Sequence, residues 1–147
     1  MKVRRSIAAA GAAVVLGTTG ALALPAIASA NSATHTLKFI SVQKSSVGFT
    51  KATGANQDTD VNAAGKTVGF DMIYFAATSA NTGAINVTVD TSGGFLYGTG
   101  TINTKTGAFS NGKVTGGTGS FKGATGTIKA KSLNKAGSRT AVTIIYS

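Results

Sequence analysis

What most constrains this chain is a series of short apolar–polar alternations cut by glycine. Val68, Phe70, Met72 and Tyr74 share one side of such a run, with Asp71, Ile73 and Phe75 on the other. Ile85, Val87 and Val89 alternate with Asn86, Thr88 and Asp90; Val142, Ile144 and Tyr146 alternate with Thr143 and Ile145; Leu37 and Phe39 alternate with Lys38 and Ile40. Side chains on a strand point to opposite faces with period two, whereas an apolar helix stripe recurs every three to four residues. No stretch sustains the helical period. Turn-forming residues separate the runs: Ala64-Gly65-Lys66, Asn81-Thr82-Gly83, Ser92-Gly93-Gly94, Lys105-Thr106-Gly107, Asn111-Gly112 and Ala136-Gly137-Ser138. Asn-Gly is a hairpin signal, because a type I′ turn needs positive φ at both central residues. The pattern predicts roughly eight strands, near 35–43, 46–52, 67–76, 84–90, 94–102, 108–115, 124–133 and 139–146. Thr53–Ala64 (TGANQDTDVNAA), the longest polar stretch, reads as a mobile loop. Many short strands with glycine-rich turns predict an all-β sandwich or barrel. The repeated Thr-Gly dipeptides are irregularly spaced, which argues against a solenoid.

The first thirty residues differ from the rest. Lys2, Arg4 and Arg5 precede an apolar stretch from Ile7 to Leu24, Pro25 breaks it, and Ala28-Ser29-Ala30 offers small residues for cleavage. This is the layout of a secretory signal peptide over residues 1–30, leaving a single domain over 31–147. Gly17 to Gly20 dilute the stretch, which disfavours a retained membrane anchor; the absence of Cys excludes a bacterial lipid anchor. The leader holds three of the fourteen Lys and Arg and none of the four acids, so the remainder carries eleven cations against four, a formal charge of +7. An exported chain with no Cys has no disulfides and no cysteine-type zinc site, so its stability rests on core and sheet.

Val114–Ile128 reads VTGGTGSFKGATGTI, with a Lys among glycines. A phosphate loop needs G-x-x-x-x-G-K-[ST], and a dinucleotide loop needs G-x-G-x-x-G ahead of a helix. Here Lys122 follows Phe121, the third glycine comes one residue late at Gly123, and Thr127 to Lys131 alternate like a strand. No helix N-terminus is available for an anion. The segment reads instead as a tight strand connection with Phe121 plugging one end of the fold.

The same segment resembles the late-strand motif of the allene oxide cyclase and dirigent barrel superfamily: Gly-Gly-[Thr/Ser]-Gly, an aromatic, then Gly-Ala-x-Gly. Ala64 to Asp71 (AGKTVGFD) resembles a segment of secreted bacterial members, Lys131-Ser132-Leu133 through Arg139 to Ile144 their closing strand pair, and Thr36 to Phe39 their first strand. The resemblance spans the domain, is specific over Gly116–Gly126 and loose elsewhere. It implies an eight-stranded antiparallel β-barrel, calycin-like in form, with an apolar cavity. Plant relatives use that cavity to fold a reactive unsaturated substrate, which takes shape and a few polar groups more than a nucleophile. The family's catalytic positions do not carry over. Gln43 stands roughly where the cyclases have an acid, and Thr125 where dirigent proteins have Arg.

Candidate lumen residues are therefore Gln43, Asp71, Tyr74 and Tyr97. Asp71 interrupts an apolar run; pointing inward beside Ile73 and Phe75, it would be a pocket acid with a raised pKa, and its bland alternative is a structural carboxylate. Tyr74 and Tyr97 would bring hydroxyls to a cavity, although packing is the commoner use of a strand Tyr. Asp58 and Asp60 are paired carboxylates that could do acid/base work or bind a hard cation, although two acids in such a polar loop more often solvate it. His35 reads as an exposed terminal residue, and without a second His or a G-x-S-x-G elbow a hydrolase triad is excluded. The Asn86-Val87-Thr88 sequon is a chance match. No cofactor and no metal is expected. Lysines spread over strands and loops, with no aromatic stacking array, argue against nucleic acid and for attraction to anionic cell-wall polymers. The expected function is a secreted bacterial barrel that binds a small hydrophobic molecule. The alternatives are an isomerase or cyclase acting on an unsaturated secondary metabolite or oxylipin, and a cell-wall-associated interaction protein. Homo-oligomers are open to it, as relatives form them.

Overall fold

The computed structural model describes residues 33–147, so the expected leader over 1–30 lies outside the described residues. The strands are β1 (His35–Gly48), β2 (Thr53–Val61), β3 (Thr67–Ala77), β4 (Thr82–Thr91), β5 (Gly94–Asn103), β6 (Phe109–Gly117), β7 (Gly126–Ser132) and β8 (Arg139–Tyr146), with one 3-10 turn at Gly119–Phe121. Each pairs antiparallel with its neighbour in sequence, and β8 returns to β1, with Phe39 opposite Val142. The result is a closed eight-stranded antiparallel β-barrel. Closure leaves no unpaired edge, which suits a chain without disulfides.

The alternations read in the sequence become the two faces of the wall. On β3, Gly69, Asp71, Ile73 and Phe75 face the lumen, while Val68, Phe70, Met72 and Tyr74 are exposed outside. On β5 the inner row includes Gly98 and Gly100, where the space a Cβ would take is filled by Ile128 and Phe109. Glycine is what lets those two side chains cross the lumen at that level.

Two expectations are overturned. Thr53–Ala64 is not a loop: Thr53–Val61 forms β2, paired to β1 on one side and β3 on the other. Its inward residues are acids rather than hydrophobes, so the usual strand signature is missing. Only Asn62–Lys66 turns, held by Asn62 Oδ1 accepting from the backbone N–H groups of Ala64 and Lys66 and by Gly65 at φ 78°. The strand expected over 46–52 is instead the end of β1 and its turn, because a bulge between Gln43 and Ser45 lets β1 continue to Gly48. Asn111-Gly112, expected as a hairpin, lies inside β6. Asn111 takes φ 54° where the β5–β6 register shifts between Thr99 and Thr101, so the positive φ serves a bulge.

The two ends of the barrel differ. At the end bearing the Asn62–Lys66 and Ser92–Gly93 turns, the 3-10 turn carries Phe121 inward, as the glycine-rich segment suggested. Phe121 is buried, lies edge-on to Tyr146 at 5.4 Å between ring centroids, and occupies the room a Cβ on Gly117 would need. Beneath this plug sits the core: Leu96, Val89 and Ile144, each exposed by 1% or less, with Phe39, Val114, Ala124 and Ile128. Fully burying each such large side chain contributes about 1.5–3 kcal/mol.

Candidate functional site

Beyond that core the lumen is hollow. A cavity of about 690 Å³ runs toward the other end, where the β5–β6 turn (Lys105, Thr106, Gly107) and the β7–β8 turn (Asn134 to Gly137) form its rim. One wall is apolar: Val87 and Val89 of β4, Ile128 of β7, Val142 and Ile144 of β8. The opposite wall is polar: Ser41 of β1, Asp58 of β2 and Asp71 of β3.

Strand register builds this polar wall. Asp58 lies directly opposite Asp71 across β2–β3, and Ser41 opposite Asp60 across β1–β2. Alternation along β2 turns Asp58 and Asp60 inward together. Gly69 stands opposite Asp60, and a Cβ there would collide with the backbone oxygen of Asp90 while only touching the Asp60 carboxyl. Ser41 is 2% exposed, Asp58 6%, Asp60 1% and Asp71 4%. The Ser41 hydroxyl donates to Asp58 Oδ2 at 2.7 Å. Asp58 Oδ1, both oxygens of Asp60 and Asp71 Oδ1 have no hydrogen-bond donor.

Three buried carboxyls side by side cannot all be charged. Burial raises the pKa of Asp60 to about 9, helped by the charge of Asp71, the hydrogen bond they share, and the charge of Asp58. Burial also raises Asp71 to about 6, opposed by the bond from Asp60 and reinforced by the charge of Asp58. Asp58 is raised by burial and held back by Ser41. Asp60 therefore keeps a proton at neutral pH, while Asp71, raised less, has largely released its own and faces the cavity as a carboxylate. A protonated carboxyl thus lies behind an ionised one that lines an apolar space, an arrangement that could relay a proton through Asp71.

The four residues singled out in the sequence are separated by the fold. Asp71 lines the cavity. Gln43, half-buried and opposite Asp58, continues the inward row of β1 without lining the cavity. Tyr74 and Tyr97 are on the outer surface, 40% and 39% exposed, and Tyr74 stacks on Phe49. Asp58, Asp60 and Ser41 were not singled out as site residues. The signal that could have found them is the Asp-x-Asp spacing, which places both acids on one face of a strand once that segment is read as one. His35 stacks on Tyr146. Among the described residues no group of three or more His, Cys, Asp or Glu is arranged to hold a metal ion.

Fold and site together define a class: a small closed antiparallel barrel whose lumen pairs an apolar wall with a buried carboxyl cluster. No family model and no curated protein matches the sequence.

Proposed function

We propose that this protein is a lumen-binding barrel that takes up one small, largely apolar molecule, and that residues 1–30 direct it out of a bacterial cell. The carrying observation is the hollow lumen. At about 690 Å³ it falls within the size range of small-molecule sites, and most of its lining is aliphatic or aromatic. The resemblance to allene oxide cyclase and dirigent barrels supports the same reading. Exposed lysines on an exported chain support a looser, salt-sensitive association with anionic wall polymers.

The test is occupancy of the lumen. Ala130, half-buried on β7, lines the cavity, so Ala130→Trp should obstruct it. Native mass spectrometry against a panel of apolar compounds should give a one-to-one complex with the wild-type protein and none with Ala130→Trp. Equal binding by both, with unchanged far-ultraviolet circular dichroism, would sink the reading.

A second reading, an isomerase or cyclase acting on an unsaturated molecule, is favoured by one observation: Asp71 lines the apolar space and has the buried Asp60 carboxyl behind it. Asp71→Asn should abolish turnover of any substrate found while leaving its binding intact; retained turnover would remove this reading.

A further inference from the structure

We propose that the lumen is built for an apolar monoamine, its hydrocarbon body against the β4, β7 and β8 wall and its ammonium group between Asp58 and Asp71. The proposal rests on the lumen-binding reading and adds the chemical class of the ligand.

Three of the four acids in the chain lie in this one wall, although the described residues carry eleven Lys and Arg that could have paired with them. Asp58 and Asp71 are more than nine-tenths buried, line the cavity, and each leaves Oδ1 without a donor. As directly opposed residues their Cβ atoms stand about 5 Å apart, so the two carboxylates can bracket one small donor group. Among the described residues the fold supplies no cation there. From β1 they are faced by Ser41 and Gln43, from β2 by Asp60, and from β4 by the apolar Ile85, Val87 and Val89, while Asp90 of β4 is exposed outside. Lys105 and Lys135 belong to the rim turns. Buried carboxylates without a counter-charge are strongly unfavourable, and a bound cation relieves that.

The rest of the lumen selects among cations. A calcium ion takes six to eight oxygen ligands, several of them from the protein, more than the two carboxylates and one serine hydroxyl lining this wall supply. An alkyl or arylalkyl ammonium has N–H donors for the open oxygens, in charge-assisted bonds of the stronger kind, and a body that suits Val87, Val142 and Ile144. Lys105 and Lys135 at the rim disfavour a second cationic end, so a monoamine is preferred over a diamine.

The experiment is isothermal titration of the purified protein at neutral pH with decylamine, decanol, decanoate and the diamine of the same chain length. Decylamine should bind at least about tenfold more tightly than decanol, with decanoate and the diamine weaker than decylamine. In the Asp58→Asn/Asp71→Asn double variant that preference should vanish while decanol binding persists. Equal affinity of amine and alcohol for the wild-type protein overturns the proposal and leaves the lumen reading standing, as does displacement of decylamine by millimolar calcium. Failure of all four probes to bind overturns both. The wild-type comparison decides the matter without depending on how the variant folds.

Discussion

The two walls of the lumen share one backbone geometry and carry opposite chemistry. On the β4, β7 and β8 side the inward rows are aliphatic and, near the plug, exclude water completely: Val89 and Ile144 are 1% and 0% exposed. On the β1 to β3 side the inward row runs through Ser41, Asp58, Asp60 and Asp71, equally buried and poorly paired. A barrel tolerates this because each strand is held by hydrogen bonds to both neighbours whatever its side chains are. β2 keeps its register with β1 and β3 while contributing acids to the interior. Stability comes mainly from one wall and chemistry from the other, so the two can be broken separately.

The largest effect should fall on the apolar side. Leu96 is fully buried beneath the plug and does not line the cavity. Leu96→Ala should destabilise the fold by about 3 kcal/mol, read as a fall in the urea midpoint at unchanged slope. A loss under about 1 kcal/mol would mean this wall is looser than its burial indicates.

Next comes the pH response of the polar wall. Below about pH 3, an Asp is largely protonated both folded and unfolded. Above that, the unfolded chain releases its protons while the folded state keeps one on Asp71 until about pH 6 and one on Asp60 until about pH 9. The folded state binds more protons across this window, so stability must fall as pH rises through it. The melting temperature should be several degrees higher at pH 5 than at pH 8.5. Asp60→Asn, which keeps the shape and removes the most strongly raised group, should raise the melting temperature at pH 8.5 and flatten the profile. A profile unchanged by Asp60→Asn would contradict the proton assignment.

The same contrast explains what was legible in the sequence. The apolar wall announces itself: Ile85-x-Val87-x-Val89 and Val142-x-Ile144 carry the period-two signal because hydrophobic burial wrote it. Asp71 was legible for a related reason, since Ile73 and Phe75 beside it mark the inner face. β2 was not. Its inward positions hold Asp58 and Asp60, so a hydrophobicity pattern reads TGANQDTDV as solvated when its neighbours in fact bury it. Strand pairing across the barrel, which places Asp58 opposite Asp71, is a long-range fact that no local window contains. Asn111-Gly112 failed differently: a type I′ turn would need positive φ at both residues, and here Asn111 alone takes it, in a bulge within β6.

A smaller effect should follow from Ser41→Ala. It removes the hydroxyl that donates to Asp58 at 2.7 Å, leaving a buried carboxylate without that donor. Destabilisation of about 1–2 kcal/mol at neutral pH is expected, shrinking toward pH 4 as Asp58 is protonated. Because the Ser41 bond is what opposes the burial shift of Asp58, the variant should also move the Asp58 titration, followed by carboxyl NMR, further upward. A loss of stability that is the same at both pH values would assign Ser41 a packing role instead.

The smallest effect tests whether the wall separates inside from outside at all. Tyr74 shares β3 with Asp71 but points the other way, half-exposed and stacked on Phe49 at 6.3 Å. Tyr97 lies on the outer face of β5 in the same manner. Tyr97→Ser should change stability by less than about 0.5 kcal/mol, and Tyr74→Ser by slightly more because the stack is lost. Neither should alter the affinity of a lumen probe measured by titration calorimetry, because their hydroxyls never reach the cavity. One strand thus carries a carboxyl to the lumen and a phenol to solvent three residues apart in sequence, and period two alone decides which of them can meet a ligand. If Tyr74→Ser removed the preference for decylamine over decanol as the Asp58→Asn/Asp71→Asn double variant should, the division between the faces of β3 would fail, and with it the separation of stability from chemistry around the barrel.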